Sequence, residues 1–493
     1  MKPKSLSKFL LALAVSFSFA RAVHPTPLDD YVAEADPAYT YVLETTRHSI
    51  GYSVHVVSMT SQQWRKPSEV DRTVWQHELL IAAPWVWHSG NQHTLILLVD
   101  GGRNGKSATS DLDELIGLLA SSLGTSVAVI RQIPNQPLLF ADETEAKIED
   151  EILAYGMNKF LVTGDPEWLV QLAMTKAVVR AIDTVQDFAE TSDARPQLRE
   201  VHDVVVIGGS KRGWATWLTA AVEAEREAGS RIRAILPASI DLLNMDEQFD
   251  HHWEAYGFYA PAIHDYADLY LPCRSKKPEG RAMREIIDPY SYRGRFTMPK
   301  LILNSAGDQF FLPDSSQFYY EGLPGPKRLR YTFNTDHSQA QDPETIILPT
   351  LSWLSDVLDE KESPQVTWTL QSDGSIVVKP SKEPKQVRLW QATNPNARDF
   401  RLPTIGATWT SSKLQKSADG TYIGRVQQPP QGWTAFSVEV TFAGSTLLPT
   451  PLESDEVFTT SVQVTPATLP FEGTACFCSL CVPSWSGWRS TLH

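Results

Sequence analysis

The sequence predicts a two-part chain: a mixed α/β unit on a mostly parallel sheet with helices on both faces, then a small β-sandwich. Three observations carry this. Apolar runs of strand length alternate with long amphipathic stretches between about residues 95 and 333, the pattern of βαβ units. The runs are dominated by Val, Ile and Leu with few polar interruptions, as in strands buried on both faces. Beyond Glu362-Ser-Pro364 the hydrophobic period falls to two, the period of half-buried strands. At 493 residues, 42% hydrophobic and with 15 tryptophans, the chain has material for more than one core.

Taken in order, the N-terminus reads as a secretory signal over residues 1–22. Lys2, Lys4 and Lys8 precede an apolar stretch over 9–20, and Ala20-Arg-Ala22 supplies a cleavage site. The expectation is a mature chain starting at Val23 that is secreted, or periplasmic in a bacterium. The apolar stretch is too short to span a bilayer and no other run is long enough, so no membrane span is expected. Residues 52–59 and 74–83 lead antiparallel into the sheet, followed by strands at 95–99, 127–130, 204–207, 232–236, 300–304 and 329–333. Met174, Ala177, Val178, Ala181, Ile182, Val185 and Phe188 form one helical stripe, and Ile347, Leu351, Leu354 and Leu358 a closing helix that Pro349 should kink or end. This unit covers residues 23–362. An aromatic-rich insertion over 239–297 is placed to form a lid. Residues 363–470 read as an immunoglobulin- or fibronectin-like sandwich with an accessory role, and 471–493 as an unstructured tail.

The segment most informative about chemistry is Gly208-Gly-Ser210-Lys-Arg-Gly213-Trp214. A buried strand feeds a glycine turn, a serine, and a helix with Trp214, Trp217, Leu218, Ala221 and Val222 on one face, for which Gly229 is a C-cap candidate. This is the layout of a nucleophile elbow, which lifts a hydroxyl beside a helix N-terminus. It departs from G-x-S-x-G: Arg212 stands where a small residue is usual, and Gly213 comes one later. Asp308 follows the strand at 300–304, and His337 follows the strand at 329–333, with Asp314 and Asp336 as rivals for the acid. A serine hydroxyl is a weak nucleophile until a neutral imidazole takes its proton, and a carboxylate holds that imidazole. Ser, Asp, His is the chain order of α/β-hydrolases. The loop Asp100-Gly-Gly102-Arg103 could donate backbone N–H groups to an oxyanion, with Lys211 N–H as the second donor. The expected site is therefore catalytic Ser210, Asp308 and His337, with Gly102, Arg103 and Lys211 as the oxyanion hole.

The chain resembles the PhoPQ-activated pathogenicity-related protein family, which also includes a secreted autocrine proliferation repressor of an amoeba. The resemblance rests on Thr60-Ser-Gln-Gln-Trp64, Trp75-Gln-His77, Gln132-Ile-Pro-Asn-Gln-Pro137, Gly208-Gly-Ser-Lys-Arg-Gly-Trp-Ala-Thr-Trp217, Asn304-Ser-Ala-Gly-Asp-Gln-Phe-Phe311, Asn334-Thr-Asp-His337-Ser and Gly432-Trp-Thr-Ala-Phe436. It covers roughly residues 28 to 465, and implies a secreted α/β-hydrolase-like protein of undefined substrate.

Other classes are disfavoured. A net charge of -14 argues against nucleic-acid binding. No G-x-G-x-x-G or GxxxxGK[ST] motif calls for a nucleotide, and no cofactor is expected. Four cysteines, Cys273, Cys476, Cys478 and Cys481, make no disulfide framework, and the last three would need His493 to complete a zinc set. His251-His252 with Asp241 and Asp250 reads as lid packing, so no metal is expected. Two functions remain. One is a secreted serine hydrolase acting on a small-molecule or peptide ester or amide. The other is a secreted signalling or binding protein on a hydrolase fold, engaging a cell-surface receptor.

Overall fold

The computed structural model describes residues 25–447 and 452–474. The expected signal segment and Cys476, Cys478 and Cys481 lie outside the described residues. In chain order the first unit runs α1 (Pro27–Ala33), β1 (Thr40–Ser49), β2 (Tyr52–Gln63), β3 (Val74–Pro84), β4 (Thr94–Val99), α2 (Ser110–Leu123), β5 (Ser126–Ile130), α3 (Glu149–Thr163), α4 (Val170–Glu190), β6 (Asp203–Gly209), α5 (Lys211–Glu223) and β7 (Ile232–Ala238). The insertion then contributes α6 (Met245–Tyr256), α7 (His264–Ala267), α8 (Leu271–Arg274) and α9 (Pro278–Ile287). β8 (Lys300–Ser305), β9 (Lys327–Thr332) and α10 (Glu344–Leu358) close the unit.

Nine strands form one sheet in the order β1-β2-β3-β5-β4-β6-β7-β8-β9. The first four in that order pair antiparallel, and β5 through β9 pair parallel. The fold is thus the mixed α/β, mostly parallel arrangement expected of an α/β-hydrolase. Alternation along β6 assigns its faces. Val204 and Val206 join the core that holds Ala177, Ile182, Trp217 and Leu218 of α4 and α5. Val205 joins the opposite core, with Ile116 and Ala120 of α2 and Trp353 and Leu354 of α10. All three valines are fully buried, so side chains on both faces contribute about 25 cal/mol per Å2 of apolar surface removed from water.

The C-terminal part consists of β10 (Val366–Leu370), β11 (Ile376–Pro380), β12 (Gln386–Asn394), α11 (Leu402–Ile405), β13 (Thr410–Lys413), β14 (Tyr422–Gly424), β15 (Trp433–Leu447), β16 (Leu452–Thr459) and β17 (Gln463–Thr465). One sheet orders β10-β11-β14, the other β13-β12-β15-β16, with β17 also on β15. Phe436, Val438, Val440 and Phe442, the alternating set of β15, are buried with Ile376 and Val378 in the same core as α10. That core is therefore continuous with one face of the large sheet. The edge strand β9 is also covered: Tyr331 N donates to Thr459 Oγ1 at 2.9 Å. Phe333 stacks on Trp390 with centroids 4.7 Å apart, and Tyr320 on Trp368 at 5.2 Å.

Four expectations change. β1 escapes the sequence reading because most of its side chains are exposed or half-exposed. α10 runs through Pro349 without ending. α5 stops at Glu223 with Ala224 as C-cap, five residues before Gly229; the Glu223 carboxylate instead binds Arg231 at 2.5 and 2.9 Å. Residues 471–474 belong to the folded body: Phe471 N donates to Glu254 O at 2.9 Å, and Trp253 Nε1 to Thr474 Oγ1 at 3.2 Å. Cys273 in α8 is disulfide-bonded. Among the described residues no helix is long and apolar enough to cross a membrane.

β6 and α5 meet unusually closely at the elbow. A Cβ on Gly208 would lie 2.4 Å from Arg212 O and 2.7 Å from Thr216 Oγ1, and one on Gly213 would lie 2.9 Å from Gly208 O. These two glycines make the close helix–strand contact that G-x-S-x-G makes with its second glycine. Gly208→Ala should therefore cost about 1–3 kcal/mol by overpacking, read as a lower urea midpoint at unchanged m-value.

Candidate active site

Ser210 sits between β6 and α5 at φ 55° and ψ -125°, a strained conformation for a residue with a Cβ. Its N–H donates to Ala238 O at 2.8 Å, and its carbonyl accepts from Trp214 N at 3.0 Å. The side chain is thereby held above the strand ends, beside the N-terminus of α5, whose first N–H groups have no intrahelical acceptor.

The structure brings the three sequence-selected side chains together. His337 Nε2 lies 2.8 Å from Ser210 Oγ, and His337 Nδ1 lies 2.7 Å from Asp308 Oδ2. Asp308 Oδ1 accepts from Phe310 N at 2.7 Å. Strand order explains the meeting. β6, β7, β8 and β9 are consecutive parallel neighbours, so the loops bearing Ser210, Asp308 and His337 leave the sheet at one edge. The His337 loop is gripped from several sides: its N–H donates to Gln309 Oε1 at 3.0 Å, and its carbonyl accepts from Ser239 Oγ at 2.9 Å. The Phe310 ring lies 4.3 Å from the imidazole. An imidazole so placed can take a hydroxyl proton while the carboxylate holds its tautomer.

The rival acids are engaged elsewhere. Asp336 accepts from Ser338 N and Oγ at 2.9 and 2.6 Å. Asp314 pairs with His251 at 2.9 Å and with Arg398 of the C-terminal part at 2.6 Å. Burial pushes the Asp314 carboxyl up, but Arg398 and the His251 hydrogen bond outweigh it and hold it well below the usual range. The histidine pair does not converge: His252 Nε2 accepts from Ala260 N at 3.0 Å, and burial lowers its pKa to about 3. Asp250 faces Lys276. Among the described residues no group of three His, Cys, Asp or Glu side chains is placed to hold a metal ion.

For the oxyanion candidates, the β4–β6 register sets Val99 opposite Gly208, so the loop carrying Gly102 and Arg103 leaves the sheet beside the elbow. Gly102 adopts φ 118°, and its carbonyl accepts from Gln136 Nε2 at 3.0 Å. The Arg103 side chain is exposed. Lys211 is the first residue of α5. Its ammonium lies 2.7 Å from Asp150 and 3.1 Å from Glu149.

Arg212 also finds a role. Its guanidinium binds Glu149 through two bonds of 2.7 Å and donates to Ile133 O at 2.5 Å. It runs under the glycine loop, where a Cβ on Gly101 would lie 2.5 Å from Arg212 Nη2. Burial raises the Glu149 carboxyl, but Arg212 and Lys211 reverse this and hold it at about 2.

The C-terminal part touches both loops next to His337 and Asp308, which sequence reasoning missed. Asn334, at φ 59°, exchanges two hydrogen bonds with the Trp409 backbone: Nδ2 to Trp409 O at 3.0 Å, and Trp409 N to Oδ1 at 2.9 Å. Leu402 N donates to Gly307 O at 2.8 Å.

Asp241, grouped from the sequence with the histidine pair as lid packing, accepts instead from Tyr319 OH at 2.6 Å and Tyr331 OH at 2.5 Å. Desolvation raises its pKa from 3.8 to about 7 despite both tyrosines, and the nearby charges of Asp308 and Asp314 add to the rise. A carboxyl with a raised folded-state pKa is favourable while protonated, and its contribution is lost as pH climbs from the unfolded value through the folded one. Asp241→Asn should therefore gain stability relative to wild type between pH 4 and 7.5. Paired thermal melts across that range check it; a pH-independent difference would refute the assignment.

A family model for PhoPQ-activated pathogenicity-related proteins matches residues 28–401. Autocrine proliferation repressor protein A of Dictyostelium discoideum is 32% identical over 491 residues, covering 94% of this chain and 95% of that protein. Among solved structures, the acetyl xylan esterase from Paenibacillus sp. R4 covers 66% of this chain and 92% of its own at 16% identity, with a TM-score of 0.46. The rice cell wall degrading esterase LipA from Xanthomonas oryzae covers 66% and 99% at 13% identity, with a TM-score of 0.38. The family match stops inside the C-terminal part, short of the residue 465 suggested by the motifs. The chain belongs to the PhoPQ-activated pathogenicity-related protein family.

Proposed function

We propose that this protein is a secreted serine hydrolase that cleaves an ester or amide through an acyl-enzyme. The observation that carries the reading is the continuous hydrogen-bonded chain from Ser210 Oγ through the His337 ring to Asp308 Oδ2, at 2.8 and 2.7 Å. In this reading His337 Nε2 takes the Ser210 proton as Oγ attacks the carbonyl carbon. Asp308 holds the Nδ1–H tautomer and stabilises the imidazolium. The backbone N–H of Lys211, with those of Gly102 or Arg103, receives the oxyanion. His337 then protonates the leaving oxygen or nitrogen. A water, deprotonated by the same ring, releases the acid.

A second reading is supported by the relative named as an autocrine proliferation repressor, 32% identical along nearly the whole chain. It is a secreted signal bound by a receptor, with the serine idle. Secretion is common to both. Its support is the Lys-rich start, the apolar stretch over 9–20 and Ala20-Arg-Ala22.

Fluorophosphonate labelling separates the two readings. Wild type should label at Ser210, and Ser210→Ala should lose both labelling and turnover while melting within a few degrees of wild type. His337→Ala should lose comparable activity, because members of such a unit are non-additive, and Asp308→Asn roughly 10⁴-fold. Resistance of the wild type to the probe, with full biological activity of Ser210→Ala, would establish the signalling reading instead. For export, N-terminal sequencing of secreted material should return Val23; Met1 would refute the signal.

A further inference from the structure

Ser210 opens onto a pocket between the core unit and the insertion. Its walls are Met157 of α3, Trp214 of α5, Met245 and Phe249 of α6, Leu271 of α8 and Met283 of α9. Apart from half-buried Phe249, these side chains are no more than 3% exposed, so the walls are core side chains. The polar groups at its edge are already matched. Asp150 Oδ1 accepts from Tyr266 OH at 2.7 Å, and Asp150 Oδ2 from Lys211 Nζ at 2.7 Å. A charged group entering the pocket would be desolvated without a partner. Three thioethers give the wall a pliable surface that suits flexible chains.

We infer that this pocket holds an unbranched apolar acyl chain longer than acetyl, which makes the substrates esters or amides of short- to medium-chain carboxylic acids. This rests on the acyl-enzyme reading above. The acyl side is assigned because of the order of bond changes. The Ser210 Oγ–C bond forms, and the C–O or C–N bond breaks as the leaving group takes its proton from His337. The alcohol or amine must then diffuse out before water enters, attacks the same carbon and breaks the Oγ–C bond. Only the acyl part stays through both steps, so a pocket walled by core side chains beside Ser210 suits it, whereas the leaving group needs an open path out.

The test uses the full chain and p-nitrophenyl esters of acetate, butyrate, hexanoate and hemisuccinate. kcat/KM should rise about tenfold or more from acetate to hexanoate, and hemisuccinate should fall about 100-fold below butyrate. Leu271→Trp, or Met283→Phe if the first does not fold, should lower the hexanoate-to-acetate ratio about tenfold. A flat or acetate-first profile in protein that a fluorophosphonate labels would overturn the pocket assignment and leave the hydrolase reading standing. Absence of both labelling and turnover would overturn the hydrolase reading. Binding of hexanamide to Ser210→Ala, followed by the fluorescence lost in an added Trp214→Phe change, then decides the pocket itself: no saturable response would overturn it.

Discussion

The turn at Ser210 is the constraint on which the rest of the site depends. Its φ of 55° costs of order 1–3 kcal/mol for a residue with a side chain, so the surroundings must impose it. They do so from three directions. The β7 end accepts its N–H through Ala238 O. The Gly208–Arg212 contact leaves no room for the helix to move away from or closer to the strand without a clash or a void. The Arg212 fork is anchored on Glu149, itself at φ 50°. The strained Glu149 is thus tied to the helix turn that follows Ser210 by a bidentate charge-assisted pair, among the stronger side-chain links.

The same ion cluster joins three parts of the molecule. Lys211 and Arg212 lead α5, Glu149 and Asp150 lead α3, and Tyr266 comes from the insertion. Acidic side chains at the start of α3 also suit its helix dipole. The departure from the usual elbow sequence is therefore compensated at a distance: the arginine that replaces a small residue becomes the brace between elbow and neighbouring helix. Gly101 above it provides the clearance.

What could be read from sequence was local. A β-branched run, a glycine turn and a helical stripe identify β6, the elbow and α5 within about twenty residues, and the strand ends at Asn304 and Phe333 point to Asp308 and His337. What could not be read was set by contacts between distant residues. Nothing near Glu149 announces Arg212, 63 positions away. Asn334 and Trp409 are 75 apart, and the Asn334 amide meets only the Trp409 backbone, which leaves no side-chain signature at position 409. β1 is hidden because its exposed faces lack a hydrophobic period. Of the kink or end expected at Pro349, the end does not occur, because α10 continues through it between the large sheet and the C-terminal core.

The two ties from the C-terminal part, Trp409 to Asn334 and Leu402 to Gly307, have a temporal side. Residues 402 to 409 are synthesised long after the loops that they hold. Until that late segment emerges and folds, the loops flanking His337 and Asp308 lack these hydrogen bonds. In a hydrolase this would make the nascent chain latent, with its reactive serine assembled only once most of the polypeptide has left the ribosome or crossed the membrane. It also sets a rule for descent. The connection between β12 and β13 is long and partly exposed, the kind of segment that ordinarily gains and loses residues freely. Here its length is pinned at both points of attachment.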